Sequence, residues 1–486
     1  MTVNKNWPPW FIGSQLLGIF FTLAVLCPSS ARGSNGVNLP AYSAAALGQG
    51  GADLVSVNDT SPLNNNPAAL SLIPGGRGDL TLMYIQPFYH YTDSQNDLDA
   101  HNDGYLPVNL GYAQRLSSEH SLLSRITMGA GIFSQGGFGS NYQGINTIFG
   151  TTDTASSFLR YAKFVVGASY DLIAEQKHTL TVGVAPHLGY SDLALSLFPG
   201  TSIAPSSALP TGFAGVTIKD SCARNLGLGS PLGSCPHDWV AGVKVGFMYS
   251  YMGERANRTR PLFAFGASYT SPVNFTYTGG HLDVNLTSLG LGRVSYDAKV
   301  EGFKWPEQVD VGFGYRPLNG LLLALDVSWV HWSTINTVTV RGSNPQNAIA
   351  AATPGLSSIA LPLALNWKDQ AVVAIGVAVD CWSELLGKRS CEDKTEDLFD
   401  ANKLTVRAGY NYSNNPVPAQ NLTPIAAIII EHHFTGGIGY RFTEKWSADV
   451  SGLYGLKNSQ NATGFLVPGV QSTSGYFLYA TVSRLF

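Results

Sequence analysis

Residues 42–69 read YSAAALGQGGADLVSVNDTSPLNNNPAA and show neither the 3.6-residue period of a helix nor the two-residue period of a strand. The stretch is rich in Gly, Ala and Asn and ends in Asn66-Pro67-Ala68. Pro67 fixes its own φ and holds Asn66 extended, while the Asn66 side chain can bond the nearby backbone. These residues predict a rigid turn within an irregular plug; a solvated linker is the alternative.

The composition is typical of a transmembrane β-barrel. Charged residues make up 13% of the 486-residue chain, aromatic residues 11%, and Gly occurs 53 times, yet the mean hydropathy is only +0.05. Barrels combine apolar lipid-facing residues with small or polar lumen-facing ones, which produces this balance. A soluble all-β protein is the alternative. The net charge of −3 excludes a basic surface for nucleic acid.

The N-terminus has the features of an export signal. A basic residue precedes an apolar run over residues 10–26, and small residues follow up to Ala31. This predicts a signal peptide over residues 1–31. Beyond it, no apolar run reaches the roughly 18 residues that a membrane helix needs. The mature chain is therefore expected to cross a membrane only as a closed barrel.

Four cysteines remain after the predicted cleavage, an even number in an oxidising compartment. Pairing sequence neighbours predicts the disulfides Cys222–Cys235 and Cys381–Cys391. No four-ligand spacing for a metal occurs, so neither a metal nor a cofactor is expected.

Strand-like segments recur through the mature chain, and many alternate with period 2. In one of them Val309, Val311 and Phe313 alternate with Asp310 and Gly312, as expected where one face meets lipid and the other a lumen. We predict fourteen strands, over residues 79–91, 105–116, 124–135, 158–172, 178–192, 238–251, 261–272, 305–316, 320–335, 363–379, 403–413, 431–442, 445–455 and 475–486.

The connections between these segments alternate in length. Short ones such as 173–177 and 443–444 alternate with long ones such as 193–237 and 273–304. Short periplasmic turns and long outer loops connect outer-membrane barrels in this way. The predicted fold is an all-β transmembrane antiparallel barrel of fourteen strands over residues 79–486, with residues 32–78 as a hatch in its lumen.

One connection departs from the alternation. Residues 381–402 should form a short turn, yet the segment is long and charged. The predicted Cys381–Cys391 disulfide would staple it, and no function is assigned to it.

The last strand ends on Phe486, with large apolar residues at alternate positions before it. It resembles the C-terminal signal that the barrel-assembly machinery reads in outer-membrane proteins. Arg484 departs from the apolar pattern, but near the membrane boundary its side chain can reach the headgroups at a cost of about 0–1 kcal/mol.

Several motifs along the chain resemble the FadL family of outer-membrane transporters for long-chain fatty acids and hydrocarbons. No single match is decisive, but they occur in family order over the whole mature chain. They are AAALGQGGA at 44–52, Asn66-Pro67-Ala68, LPVNLGY at 106–112, GAGIFSQGG at 129–137, Trp305-Pro306, Asp326 with Trp332-Ser333, LTVRAGY at 404–410, Pro416-Val417-Pro418 and GGIGY at 436–440.

The resemblance implies a mechanism and a location. A hydrophobic ligand would land on an outer groove, diffuse to a buried site and leave sideways through a gap at the kinked third strand, with hatch movement coupling binding to release. It implies a multi-pass protein of the bacterial outer membrane that contacts membrane lipid, and a monomer is expected. The sequence does not choose between fatty acids, alkanes and aromatic hydrocarbons.

Residues for the lateral gap are Phe133, Gly136, Gly137 and Phe138, because glycine inside a strand weakens pairing and marks a kink. An ordinary strand end entering a loop is the alternative. Replacing both glycines with valine is expected to reduce uptake without loss of folding.

Two further sets of candidate site residues follow from their positions in the predicted loops and strands. The apolar cluster in the longest outer loop predicts either a capture groove or loop self-packing. Its residues are Leu193, Leu195, Leu197 and Phe198. Strand parity directs Arg407 and Asp326 into the lumen, where Trp332 is also placed. They would either hold the hatch or, for Arg407, meet a ligand carboxylate.

Two other function classes were weighed. An enzyme is not expected, because the chain contains neither a GxSxG nor an HExxH motif, and Glu431-His432-His433 lacks a nucleophile. A general diffusion porin is a nearer alternative and predicts ion conductance.

Overall fold

The computed structural model describes residues 35–57, 59–101, 104–116, 122–207, 209, 212–218, 235–253, 260–386, 403–464 and 468–486. The predicted signal peptide, Cys222 and Cys391 lie outside these residues. Among the residues that are described, no helix has the length and apolar character needed to cross a membrane.

The described residues contain twenty strands in a single sheet. The strands are β1 (Gly76–Thr92), β2 (Asp97–Asp99), β3 (Val108–Arg115), β4 (Ile126–Asn146), β5 (Thr152–Ala174), β6 (His178–Ile203), β7 (Phe213–Ile218), β8 (His237–Tyr251), β9 (Phe263–Thr270), β10 (Val273–Asn285), β11 (Arg293–Trp305), β12 (Gln308–Leu318), β13 (Leu321–Val330), β14 (Thr337–Ser343), β15 (Ile359–Ala364), β16 (Gln370–Val379), β17 (Leu404–Ser413), β18 (His432–Arg441), β19 (Trp446–Ala462) and β20 (Gly469–Leu485). The short α-helices are α1 (Ala44–Gly48), α2 (Ala348–Ala352) and α3 (Trp382–Leu385).

The sheet closes on itself into an all-β antiparallel barrel. From β1 the pairing runs through β3, β4, β5, β6, β8, β9, β12, β13, β16, β17, β18, β19 and β20, and β20 pairs back with β1. Every one of these pairings is antiparallel. Closure gives each strand of the ring a paired neighbour on both sides, so that the sheet has no free edge strand in the membrane.

The prediction of fourteen strands is wrong for the sheet as a whole, because several predicted outer loops fold into strands. β7 lies in the connection 193–237, β10 and β11 in 273–304, and β14 in 336–362. These strands pair with one another or with β6 beyond the closed ring. β10 and β14 do alternate with period 2, with Val273, Phe275 and Tyr277 buried and the residues between them exposed, so a strand signal is present within the predicted outer loops.

The alternation predicted for the spanning strands is confirmed. On β12, Val309, Val311 and Phe313 are exposed on the outer face, whereas Asp310 and Gly312 are buried inside. On β20 the exposed Arg484 guanidinium lies 5.3 Å from the ring centre of Trp446 and 4.8 Å from that of Phe486. The charge is thus covered by aromatic rings, which attract a cation through their π face.

Residues 35–74 precede β1 and form an irregular segment, called here the N-terminal segment. Most of its side chains are buried. The Ser43 side chain caps α1 by accepting a hydrogen bond from the Ala46 backbone N–H. Asn66 is extended and its side chain accepts from the Ala68 N–H at 3.2 Å, and Pro67 opens a 3₁₀ turn over Pro67–Leu72. A turn is therefore present where the sequence predicts one, and its rigidity stays a prediction.

Candidate functional site

A cavity of about 350 Å³ lies between the N-terminal segment and the barrel wall. Its lining is mainly apolar and includes Val37 and Leu39 of the N-terminal segment, Tyr161 of β5 and Phe477 of β20. Residues 427–430, which read AIII, line it as well. A cavity of this size and polarity suits a hydrophobic small molecule.

The cavity passes from the barrel interior to the lipid-facing surface. Tyr161 is an inward-facing lining residue with only 1% of its surface exposed. Leu106 and Ile132 also line the cavity, yet they are 52% and 50% exposed on the outer face. One cavity therefore contacts residues on both faces of the wall.

The cavity reaches the outer face where β3 stops pairing with β4. Their pairing ends at Leu110 opposite Ile132, whereas β4 continues to Asn146 and β5 is the named strand that pairs with it there. The register between β4 and β5 shifts between Ser134 and Gly136, which marks a bulge. The part of β4 that follows Ile132 therefore has one edge that β3 does not cover.

The structure brings three of the four predicted gap residues to this cavity. Gly136, Gly137 and Phe138 line it. Phe133 does not; its buried ring packs edge-on against Tyr42, with 6.4 Å between the ring centres. Phe133 contributes instead to the packing beneath the N-terminal segment.

The N-terminal segment occupies the uncovered edge of β4. The Leu39 N–H donates to the Gln135 carbonyl at 3.1 Å, and the Gly137 N–H donates to the Val37 carbonyl at 2.9 Å. Asn38 forms an antiparallel bridge with Gly136. A three-residue strand thus substitutes for β3 at this level of the wall.

Glycine is required at both positions of the kink. A Cβ atom on Gly136 would lie 1.9 Å from the Val37 carbonyl oxygen, and one on Gly137 would lie 2.2 Å from the Leu159 carbonyl oxygen of β5. Both distances are far below van der Waals contact, so any side chain must displace backbone.

Lumen side chains hold the N-terminal segment from several sides. One carboxylate oxygen of Asp326 accepts from the backbone N–H groups of Asp53 and Leu54, each at 2.8 Å. Asp79 of β1 accepts from the Thr60 N–H at 2.8 Å, and Lys244 of β8 donates to the Asn65 carbonyl at 2.8 Å. Asp326 was predicted; its partners in this role, Asp79 and Lys244, were missed, although both are charged residues within predicted strands.

The Asp53 carboxyl of the N-terminal segment lies in surroundings that disfavour its charged form. Burial raises its pKa well above the ordinary range, and the neighbouring Asp326 carboxylate raises the pKa further. Its Oδ1 accepts a hydrogen bond from the Asn65 side-chain amide. The protonated form is therefore favoured more strongly than in a solvated aspartate.

The Asn66-Pro67-Ala68 turn is inserted against the wall. A Cβ on Gly246 of β8 would lie 2.1 Å from Asn66 Oδ1, and one on Gly183 of β6 would lie 2.3 Å from the Ala68 nitrogen. The Asn66 side-chain amide also donates to the Phe247 carbonyl at 3.3 Å. The turn is thus a buried contact between the segment and two strands, and a solvated linker is excluded.

Arg407 lies away from the cavity. Its Nη1 donates to Asp449 Oδ1 at 2.6 Å, and its Cβ would be 3.1 Å from a Cβ placed on Gly48 at the end of α1. Arg407 is absent from the cavity lining. The geometry favours the interpretation that Arg407 supports the N-terminal segment.

Replacing Arg407 with glutamine is therefore expected to lower stability and to leave ligand affinity unchanged within about twofold. Removing one partner of a buried ion pair leaves the other charge uncompensated, which costs about 3 kcal/mol. Urea unfolding would measure the loss, and the double variant Arg407→Gln/Asp449→Asn should recover part of it. A selective loss of carboxylate binding with unchanged stability would contradict this expectation.

Trp332 is buried in an aromatic cluster next to the N-terminal segment. Its indole N–H donates to Gln370 Oε1 at 3.1 Å, and its ring packs edge-on against Trp305 at 5.8 Å. Trp305 in turn donates to Asn38 Oδ1 at 2.9 Å. Asn38 and Trp305 therefore tie the bridge at β4 to the aromatic cluster, a link that no motif in the sequence indicated.

The predicted outer groove is wrong as an exposed surface. Leu193, Leu195 and Phe198 lie in β6, which runs to Ile203, and their side chains are buried; Leu197 is partly buried. β7 pairs with this part of β6, and Leu193, Leu195 and Phe198 share one buried hydrophobic cluster with side chains of β7 and β10. Loop self-packing, the alternative noted above, is what the structure contains.

Cys235 and Cys381 are each disulfide-bonded. Their predicted partners, Cys222 and Cys391, lie outside the described residues, so both pairings stay predictions.

Both the sequence and the fold of this chain are similar to those of known proteins. A family profile described as outer membrane protein transport protein (OMPP1/FadL/TodX) matches residues 25–386. No protein with a curated description matches the sequence.

Solved structures with a similar fold include the P. putida toluene transporter TodX, at 21% identity and a TM-score of 0.67, covering 92% of this chain and 99% of that one. The Ralstonia pickettii toluene transporter TbuX is similar at 18% identity and a TM-score of 0.63, covering 92% and 99%. A Pseudomonas aeruginosa FadL homologue is similar at 14% identity and a TM-score of 0.63, covering 92% and 99%. These likenesses establish the fold.

Proposed function

Because the chain belongs to the OMPP1/FadL/TodX family of outer-membrane transport proteins, we propose that it takes up hydrophobic small molecules through the cavity beside β4. The observation that carries this proposal is that one apolar cavity contacts both the lumen and the lipid-facing side of the wall. A water-filled pore would have no need for such an exit. The ligand enters the outer membrane sideways and never crosses a polar lumen.

The proposed organisation assigns residues 1–31 to a signal peptide, residues 32–78 to a hatch and residues 79–486 to the barrel. The fourteen mutually paired strands of the closed ring are the membrane spans, and the remaining strands extend outside the membrane. Lumen contacts from Asp79, Lys244 and Asp326 support the hatch assignment, since they hold the segment from different strands.

In the proposed mechanism the hydrophobic effect draws the ligand from water into the cavity, at about 0.8 kcal/mol per buried methylene. Passage to the lipid requires the edge of β4 to be free. Residues Val37 to Leu39 occupy this edge through two backbone hydrogen bonds. Release of this short strand is the gating step, and hatch movement is the event that couples binding to release.

The substrate is a long-chain fatty acid or another hydrophobic compound. An aromatic hydrocarbon is the alternative, supported by similar folds described as toluene transporters and as the CymD monoaromatic hydrocarbon channel. A general porin is disfavoured by the number of hydrogen bonds that hold the segment inside the ring. We further propose that the assembly machinery reads the exposed terminal Phe486.

The test is uptake by bacterial cells that lack their own hydrophobic-compound transporters. Cells expressing the protein are expected to accumulate labelled oleate or labelled toluene several-fold faster than cells with an empty vector, and to gain no uptake of a small sugar of similar mass. Uptake of the sugar without uptake of either hydrophobic compound would support a porin instead.

A further inference from the structure

Three buried polar atoms of residues that line the apolar cavity have no hydrogen-bond partner among the described residues. They are Oδ1 of Asn35 in the N-terminal segment, the Tyr161 hydroxyl and Nδ1 of His433. Tyr161 and His433 belong to the barrel wall and are only 1% and 2% exposed. Buried polar groups in folded proteins are nearly always satisfied, so each exception needs an explanation, and in an apolar cavity a bound molecule can supply the missing partner.

The two atoms occupy different parts of the cavity. Tyr161 lies on β5 directly opposite Gly136 of the kink, and its ring packs against Trp305 at 4.7 Å and Phe275 at 5.3 Å. His433 lies on β18, six strands further round the closed ring. Tyr161 therefore marks the exit through the wall, and His433 marks the interior.

The hydrogen-bonding capacity of each atom is defined by its surroundings. The Asn411 backbone hydrogen-bonds the His433 ring; with the ring proton on the nitrogen that meets it, the unpartnered Nδ1 is an acceptor and requires a donor. The Tyr161 hydroxyl can donate or accept. A ligand hydroxyl serves both positions, because it is donor and acceptor at once. A carbonyl group could bond only Tyr161.

The charge of the lining argues against a carboxylate. Arg160 is the arginine that lines the cavity. Its guanidinium donates two hydrogen bonds to the Asp192 carboxylate, of 2.8 and 2.7 Å. Asp192 is fully buried and also accepts from the Tyr190 hydroxyl. Since this ion pair is already satisfied, a carboxylate entering the apolar cavity would lose its hydration without gaining the guanidinium.

We propose that the cavity selects neutral hydrophobic molecules that carry one hydroxyl group, such as medium-chain alcohols or alkylphenols. The hydroxyl bonds His433 in the interior and Tyr161 at the exit, while the apolar part contacts the remaining lining. This inference rests on the proposed transport function, and it narrows the substrate class to neutral hydroxyl-bearing molecules in preference to the fatty-acid carboxylates named above.

The test compares three ligands of equal chain length, 1-octanol, n-octane and octanoate, by calorimetric titration of the purified full-length protein in detergent. We expect 1-octanol to bind about fivefold to tenfold more tightly than either of the others, the effect of one buried hydrogen bond. Tyr161→Phe should weaken 1-octanol binding by about threefold to tenfold and leave n-octane binding unchanged.

Tyr277→Phe is the matched control. Tyr277 belongs to the same aromatic cluster and stacks on Phe275 at 5.4 Å, but its hydroxyl already bonds Ser191 at 3.0 Å and it does not line the cavity. Its loss should change the binding of none of the three ligands. His433→Leu supplies a second variant if Tyr161→Phe fails to fold, and it should weaken 1-octanol binding selectively.

The outcomes separate the two proposals. If n-octane or octanoate binds as tightly as 1-octanol, or if the variants weaken n-octane equally, the hydroxyl selectivity is overturned while hydrophobic transport stands. If none of the three ligands binds, both proposals are overturned.

Discussion

Deleting residues 35–74 is expected to convert the protein into an ion-conducting pore. These residues are held in the closed ring by side chains of several strands, among them Asp79, Lys244 and Asp326. Without them the lumen would be open to water, as it is in porins. Single-channel recording in planar bilayers should show a mean conductance at least on the order of tenfold above that of the intact protein.

Asp326→Ala tests the same idea in the full chain. It removes two hydrogen bonds to a carboxylate, each worth about 1.5–3 kcal/mol, so brief openings should appear that the intact protein lacks. Asp283→Ala is the control, because Asp283 lies on β10 and bonds Ser295 of β11 in an outer hairpin. If the deletion variant folds and stays as silent as the intact protein, the hatch assignment is wrong.

Replacing Gly136 and Gly137 together with valine is expected to reduce uptake about tenfold or more while the barrel still forms. A Cβ at Gly136 would collide with the Val37 carbonyl, and one at Gly137 with the Leu159 carbonyl. The wall must then move and the cavity loses its exit. These two collisions are confined to one kink and leave the remaining strand pairings intact. The variant should therefore still show the heat-modifiable mobility of a folded barrel in gel electrophoresis.

Gly436→Val is the control for the glycine pair. Gly436 lies within β18, and a Cβ there would meet no atom nearer than 3.8 Å. Uptake by this variant should equal that of the unchanged protein. Normal uptake by the Gly136→Val/Gly137→Val variant would show that the ligand leaves by another route.

Much of the barrel could be predicted from the sequence, because lipid contact imposes a period on each strand independently of its neighbours. The segment predicted at 238–251 appears as His237–Tyr251, and that at 403–413 as Leu404–Ser413. The strands near the opening were predicted too short, since β4 extends to Asn146 and β6 to Ile203 beyond the lipid-facing pattern. There both faces contact protein, and the alternation disappears.

The candidate site was only partly predictable for a related reason. Glycine in a strand is a local signal, and it identified Gly136 and Gly137. The burial of Leu195 depends on a hydrophobic cluster that includes side chains of β7 and β10, and the pairing of Arg407 with Asp449 depends on a residue on another strand. Parity placed Arg407 in the lumen but carried no information about its partner.

The sequence by itself determined that this chain is an outer-membrane barrel with an irregular segment before its first strand, because the bilayer imposes its requirement on every spanning residue separately. Only the tertiary structure decided that residues 37–39 pair with the kink at residues 135–137 and that Tyr161 and His433 share one cavity. Such contacts join residues about one hundred positions or more apart in the chain. They arise from closing the ring around the segment, and no periodic pattern in the sequence records them.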